Sequence, residues 1–242
     1  MIVGKGISKL FRIPGERRDT LFEELLAFVK GSRGYKELWA LNNVSFEVKA
    51  GEIFGITGPN GSGKTTLLEV IARIIYPDKG ELKVNGKITP ILALGVGFNP
   101  ELTARENVFL YGALMGMKRA RMVENYEEIF EFAELRQFKN MKLKNFSSGM
   151  NARLAFSTAI ATEPDILLLD EVLAVGDIEF QSKCMEEIHS VNRKGTTIVF
   201  VSHNVEAVRD LCERAMFLNK GEVVAIGAAD EVVNAYLDFV AE

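Results

Sequence analysis

The chain has 242 residues, 48% apolar and 26% charged, with 29 Lys and Arg against 33 Asp and Glu for a net charge of −4. This is an ordinary globular mix, long enough to bury a core without disulfide or metal staples, and the charge balance gives no support to a nucleic-acid binder. The N-terminus has no secretory apolar segment and no apolar run approaches the roughly 18 residues of a membrane span, so the chain is expected to be soluble by itself.

In chain order, a first strand ends near "ISKLF" (7–11) and "VSFEV" (44–48), "EIFGIT" (52–57) and "ELKV" (81–84) read as strands. So do "DILLLD" (165–170) and "TTIVFVS" (196–202). Helical periodicity fits 64–75, 105–116, 119–133, 148–162, 179–193, 204–212 and 229–241. "AMFLNKGEVVAIG" (215–227) reads as a hairpin turning at Lys220–Gly221. Fully apolar strands such as "ILLL" suggest a parallel sheet covered on both faces, so the fold class is α/β with antiparallel strands early and late. Two regions break the rhythm. Residues 12–38 form an insertion whose Leu21, Phe22, Leu25, Leu26, Phe28 and Val29 suggest a short apolar helix between "PGERRD" and "KGSRG". Residues 101–146 are mostly helical and, with the helix that follows, suggest a helical subdomain over about 101–162 within one domain, 1–242. Cys184 and Cys212 fit no metal spacing and read as buried or incidental thiols in a reducing compartment.

The chemistry starts at "GPNGSGKTT", Gly58, Pro59, Asn60, Gly61, Ser62, Gly63, Lys64, Thr65 and Thr66, set between a strand and a helix. GxxxxGK[ST] in that setting is the Walker A pattern. The glycines let backbone N–H groups curl round a phosphate, and the helix start favours the same anion. Lys64 can reach the β- and γ-phosphates, and Thr65 can offer its hydroxyl to Mg²⁺. Farther on, the apolar strand "DILLLDE" delivers Asp170 and Glu171, which looks like Walker B. Asp170 would hold Mg²⁺, and Glu171 would orient or deprotonate an attacking water.

Between these motifs stands "FSSGM" (146–150), just before a helix. By itself Ser147 could simply cap that helix. In this order of motifs the sequence resembles the ATP-binding subunits of ABC transporters, whose signature, usually LSGGQ, stands here. It departs from that pattern at Phe146, Ser148 and Met150, and keeps Ser147 and Gly149. The resemblance implies a P-loop NTPase core of ABC type with a parallel sheet, an antiparallel β subdomain and a helical subdomain. It also implies ATP and Mg²⁺ as ligands, and a signature loop, Ser147, Ser148 and Gly149, that contacts the γ-phosphate held by the other subunit. "AVGD" (174–177) stands where the D-loop should be, with Asp177 as its acid, and His203 in "VSH" where the family has its switch histidine, expected to hydrogen-bond the γ-phosphate. The Q-loop region "ALGVGFNPELTAREN" holds no glutamine. Asn99 is the substitute expected to bind nucleotide and metal, with Glu101 as runner-up. Phe11 is expected to stack on adenine, with Trp39 and Tyr35 competing.

The insertion, "LGVGFNPELTARENV", "DEVLAVGD" and "GEVVAIGAADEVVNAY" together look like the branch that exports O-antigen, capsule or teichoic acid, often on a lipid carrier. Some O-antigen members have a further carbohydrate-binding β-domain after this point, so a chain ending at Glu242 is either a short member or the leading part of a longer one. The resemblance implies a homodimer on two copies of an integral-membrane permease, peripheral on the cytoplasmic side of the cell membrane. It also implies a lipid-linked polysaccharide as the substrate of the complex and no nucleic acid. The insertion either covers core or touches the permease or head-group zone. The alternatives are an ABC ATPase for another exported substrate, or a soluble one acting on DNA or ribosomes. Against the DNA-acting type, only 83 residues separate Lys64 from Ser147, too few for a long coiled coil. Ribosome-acting relatives normally join two ATPase domains in one chain.

Overall fold

The computed structural model describes residues 1–14, 35–92, 95–171 and 177–241. The apolar helix expected between Leu21 and Val29 and most of the "AVGD" stretch lie outside the described residues.

β1 (Ile2–Pro14) and β2 (Tyr35–Val48) pair antiparallel from Ile2↔Val48 out to Pro14↔Tyr35. The arms of the 12–38 stretch are therefore strand, with Arg12 opposite Glu37 and Ile13 opposite Lys36. Reading 12–38 wholly as an insertion missed this. The strand formers Phe11, Ile13, Tyr35 and Trp39 continue the ladder across the charged residues between them. β4 (Lys79–Val84) pairs with the other edge of β1, closing a three-stranded antiparallel sheet.

The second sheet has six strands in the order β5-β6-β7-β3-β8-β9. They are β3 (Ile53–Thr57), β5 (Ile88–Ile91), β6 (Ile166–Asp170), β7 (Thr197–Val201), β8 (Arg214–Asn219) and β9 (Glu222–Ala228). All neighbours are parallel except β8 and β9, the hairpin read from the sequence. β5 is a strand that the sequence pattern did not single out. It is four residues long and contains Pro90, which an edge position tolerates because one side of an edge strand needs no ladder donor.

The inner strands are apolar throughout because both faces are covered. Along β6, Leu167 and Leu169 join one core and Ile166 and Leu168 the other. β7 alternates the same way, with Ile198 and Phe200 on the first side and Val199 and Val201 on the second. The period of two is that of a pleated strand. The first core is roofed by α5 (Ile178–Arg193), α6 (Val205–Leu211) and α7 (Ala229–Ala241), through Phe180, Ile188, Val208 and Val233. The second is roofed by α1 (Lys64–Ile71) and by the antiparallel sheet, through Leu67, Ile71, Ile7 and Val44.

A third core belongs to α2 (Ala104–Leu114), α3 (Arg119–Phe132) and α4 (Ser148–Ile160). Val108, Phe130, Leu143, Phe146 and Leu154 meet there. α2 starts with a capping box: the Glu106 amide donates to Thr103 Oγ1 at 3.2 Å, and the Thr103 amide donates to Glu106 Oε2 at 2.8 Å. One turn in, fully buried Asn107 accepts from the Asn99 amide at 2.7 Å. Its own amide group donates to the carbonyls of Asn99, Leu102 and Thr103 at 2.9–3.2 Å. A short side chain thus ties both ends of the loop 99–103 to the helix that follows it. Asn107→Leu keeps the volume but leaves the Asn99 amide without its partner, while the carbonyls of Asn99, Leu102 and Thr103 keep backbone donors, and should cost roughly 1–3 kcal/mol of folding stability. Urea unfolding checks it, and an unchanged midpoint would show that the loop finds other partners.

Candidate functional site

The P-loop follows β3 and its shape is fixed by close packing. A Cβ on Gly58, at φ 147°, would lie 2.0 Å from the carbonyl oxygen of Leu218. One on Gly63, at φ 105°, would lie 2.4 Å from that of Ala40. Only glycine combines such backbone angles with such approach. Gly63 is the N-cap of α1 and has no side chain to satisfy the free amides of its first turn, which are left for an anion.

Lys64 is buried, and its ammonium donates to the carbonyls of Gly58 at 2.8 Å and Pro59 at 3.0 Å. Burial lowers its pKa, against the opposing pull of Glu171 and Asp170. Next to it, Thr65 Oγ1 donates to Asp170 Oδ2 at 2.9 Å. Burial raises the Asp170 pKa, and the Thr65 hydrogen bond works the other way. Glu171 follows in the left-handed region at φ 53°. Its Oε1 lies 2.9 Å from His203 Nδ1. The structure thus brings together four residues read from the sequence, as two hydrogen-bonded pairs at the ends of β6 and β7.

A cavity of about 770 Å³ spans this region. Its polar end is formed by Asn60, Gly61, Gly63, Lys64, Thr65 and Thr66 with Asp170 and Glu171. Phe11, Leu38 and Trp39 form the other wall. Of the aromatics weighed for base stacking, Phe11 and Trp39 line the cavity and Tyr35 does not. Lys9 Nζ stands 5.9 Å from the Phe11 ring and Lys79 Nζ 5.0 Å from the Trp39 ring. Gly58, Pro59 and Ser62 shape the loop from behind the lining; Ser62 is buried with no partner for its hydroxyl among the described residues.

Asn99 is not brought to the cavity. Its side-chain oxygen accepts from the Glu101 amide at 2.9 Å, and the Glu101 carboxylate pairs with Lys142 and Lys144. Neither residue lines the site, so the expectation that one of them replaces the Q-loop glutamine has no support in the geometry. Leu92 is the residue that reaches the cavity where the chain leaves β5. Lys220, at the β8–β9 turn, also lines it, and sequence reasoning missed this side chain. The Lys–Gly dipeptide signalled a turn and carried no sign of its neighbours.

Ser147, Ser148 and Gly149 do not line this cavity either. Ser147 is exposed and caps α4, accepting from the Met150 amide at 3.1 Å. Phe146, where the sequence departs from LSGGQ, is buried in the helical core, edge-on to Phe138 with ring centroids 6.3 Å apart. Its role is packing, which a larger apolar ring can serve. Asp177 caps α5 through the Phe180 amide at 3.0 Å and pairs with Arg153 of α4 at 2.8 Å. Those two contacts hold its carboxyl below the ordinary range. Cys184 and Cys212 are buried as expected. Burial pushes the Cys184 thiol up to about 12 and raises Cys212 as well, so neither is a nucleophile at neutral pH.

Magnesium fits the donor set. Thr65 and Asp170 offer hard oxygens side by side. Among the described residues no group of three His, Cys, Asp or Glu gathers to hold a metal by itself, here or elsewhere. Two protein oxygens, completed by phosphate and water, suit an ion that keeps much of its hydration shell.

The family profile described as ABC transporter matches residues 41–174. The chain is 42% identical over 219 residues to the O-antigen export system ATP-binding protein RfbB of Klebsiella pneumoniae, covering 90% of this chain and 88% of that protein. It is 39% identical over 243 residues to the teichoic acids export ATP-binding protein TagH of Listeria monocytogenes, covering 98% of this chain and 72% of that protein. Its fold is similar to a dimeric ATP-binding cassette in a post-hydrolysis state bound to ADP and Pi, with TM-score 0.77 and 27% identity over 95% of this chain and 99% of that one.

The raised Asp170 pKa gives a signed expectation. Its ionised form is disfavoured in the fold, so the stability linked to its proton is complete below the unfolded pKa and is lost as pH rises through the folded one. Asp170→Asn should therefore raise Tm at pH 7.5, with the gain fading toward about pH 4, the ordinary carboxylate range. Thermal melts across that range check it, and a variant less stable at pH 7.5 than the parent would contradict the sign.

Proposed function

The chain belongs to the ABC transporter family and is an ATPase, and from that premise we propose that it powers export of a lipid-linked polysaccharide through a separate permease. The substrate class is an O-antigen, capsular or teichoic-acid chain. Relatives named for O-antigen and teichoic acids export support it, at about 40% identity over most of the chain. No helix among the described residues is long and apolar enough to cross a membrane, which fits a subunit that works from the cytoplasmic face through a membrane partner.

The observation that carries the catalytic part is the pair of contacts Thr65–Asp170 and Glu171–His203. In this reading Phe11 stacks on the adenine, and the backbone amides of residues 58–66 cradle the phosphates. Lys64 turns from its own loop carbonyls to the β- and γ-phosphates. Thr65 and Asp170 would hold Mg²⁺, which supplies charge neutralisation on the phosphate oxygens. Glu171 orients the attacking water and takes its proton as the bond between the γ-phosphorus and the bridging oxygen breaks. His203 uses Nδ1 to hold Glu171, which leaves Nε2 for the γ-phosphate.

Half of the γ-phosphate shell then comes from a second copy. Ser147, Ser148 and Gly149 begin α4 on an exposed surface away from the chain's own cavity, with a helix N-terminus behind them. Two copies, head to tail, would each close the other's site, and the dimeric similar structure supports this arrangement. Asp177 would lie in the same joint.

Glu171→Gln should retain ATP binding while kcat falls by about a hundredfold or more, and ATP should then hold it as a dimer on sizing columns. Turnover at the parent rate would remove Glu171 from the role of base. Ser147→Arg should abolish this dimer but leave the monomer's nucleotide affinity within about twofold; unaltered dimerisation would remove the signature loop from the interface. The export role is read in cells, where deleting the gene should make lipid-linked glycan accumulate on the cytoplasmic face. Normal surface glycan in the deletion strain would exclude it.

A further inference from the structure

We propose that Lys220 is a second nucleotide-binding cation, directed at the α-phosphate and ribose side of a nucleoside polyphosphate. The proposal rests on the reading of the cavity as the ATP site and adds a residue to it.

Three observations place Lys220. It lines the cavity, and Lys64 is the other cation among the described lining residues. Its turn is fastened to the phosphate loop: the Gly221 amide donates to the Ser62 carbonyl at 2.9 Å, and the Gly221 carbonyl accepts from the Asn42 amide at 2.8 Å. The turn also presses on β2. A Cβ on Gly221 would lie 2.7 Å from the Ala40 carbonyl oxygen, the atom that a Cβ on Gly63 would meet at 2.4 Å. Lys220 therefore stands where the aromatic wall, through Trp39 and Ala40, meets the glycine loop.

A nucleotide that lays its base on Phe11 or Trp39 and its terminal phosphates by Lys64 must pass its ribose and α-phosphate through this junction. Lys220 is exposed and has no hydrogen bond or ion pair among the described residues, so its ammonium is free to turn toward an anion. The acids of the cavity, Asp170 and Glu171, lie at the end of β6 and just beyond, with β7 and β3 between them and the β8–β9 turn that carries Lys220. The turn itself is anchored on both sides, so binding need order only the side chain and not the backbone that carries it.

The backbone of Lys220 is left-handed, φ 47°, a conformation that asparagine tolerates well. Lys220→Asn therefore removes the charge while keeping the turn, and Lys220→Arg keeps the charge. Displacement of a fluorescent ATP analogue by adenosine, AMP, ADP and ATP reads the difference. Lys220→Asn should weaken AMP, ADP and ATP alike, by roughly two- to fivefold as expected for one solvent-exposed charge pair, and leave adenosine and Tm unchanged. Lys220→Arg should restore most of the loss, and the parent's affinity should fall more steeply with salt than that of Lys220→Asn. Equal loss for adenosine would assign Lys220 a structural role in the turn and overturn the proposal, as would phosphate-bearing ligands that bind Lys220→Asn and the parent equally. Failure of the parent to bind ATP at all would instead defeat the reading of the cavity itself.

Discussion

Three parallel strands, β3, β7 and β6, end at one level, and the chemistry of the site hangs on that alignment. Ile56 is the ladder partner of Val201, and Val201 of Asp170. The ladder runs one step past the strands, since the Ser202 amide donates to Ile56 at 3.2 Å and the Glu171 amide to Val201 at 3.0 Å. The P-loop, the two acids and His203 therefore leave the sheet side by side. A one-residue slip of β6 would exchange Asp170 for Leu169 at this edge and turn every leucine to the wrong core. The slip is blocked because each face of β6 fills a different hydrophobic cluster. Packing that shares no atoms with the nucleotide site thus holds Asp170 beside Thr65.

The helical lobe answers a different need, presenting a short polar loop at a set distance from the strand ends. Phe146 roots that loop in the lobe's core, and Ser147 starts the helix above it. Arg153, in the second turn of α4, pairs with Glu134 at 2.6 Å and with Asp177 at 2.8 Å, while its guanidinium lies 4.5 Å from the Phe180 ring. Lys183 adds a second cation on Glu134 at 3.2 Å. Exposed ion pairs are worth little singly. This group is stronger for being shared: Arg153 is mostly covered, and its two acids sit at the end of α3 and the start of α5. It ties the loop's helix to the start of α5.

Much of this was legible because the governing signals are local. A glycine-rich turn between an apolar strand and an amphipathic helix needs no tertiary context, nor do fully apolar runs that end in Asp170 or precede His203. Period and capping placed the helices within a few residues. The misses have a common cause in contacts distant in sequence. β5 is held by pairing to β6, nearly eighty residues away, and its Pro90 argues against a strand until its edge position is known. The ladder from Arg12 to Pro14 exists only because residues 35–37 come back beside it. Asn99 is a different case, since its side-chain oxygen takes a local partner, the Glu101 amide two residues on. Lys220 could not be connected to the glycine loop from its surroundings in sequence, because the link is a backbone hydrogen bond to Ser62.

The electrostatics of the cavity argue for the kind of ligand it takes. Burial raises the pKa of Asp170 and lowers that of Lys64, so each is placed where its charge is less well solvated than in water. Direct pairing of the two would relieve both, yet Lys64 donates to its own loop carbonyls and Asp170 accepts from Thr65. A ligand with an anionic and a cationic part relieves them separately, the anion at Lys64 and the cation at Asp170. A polyphosphate carrying a divalent metal has that composition, with a flat base at its far end for the aromatic wall. The exposed start of α4 adds the last term: its free amides and hydroxyls favour an anion, but within one chain no residue of that loop lines the cavity. That helix start is the one anion-favouring feature of the set that a chain does not bring to its own cavity.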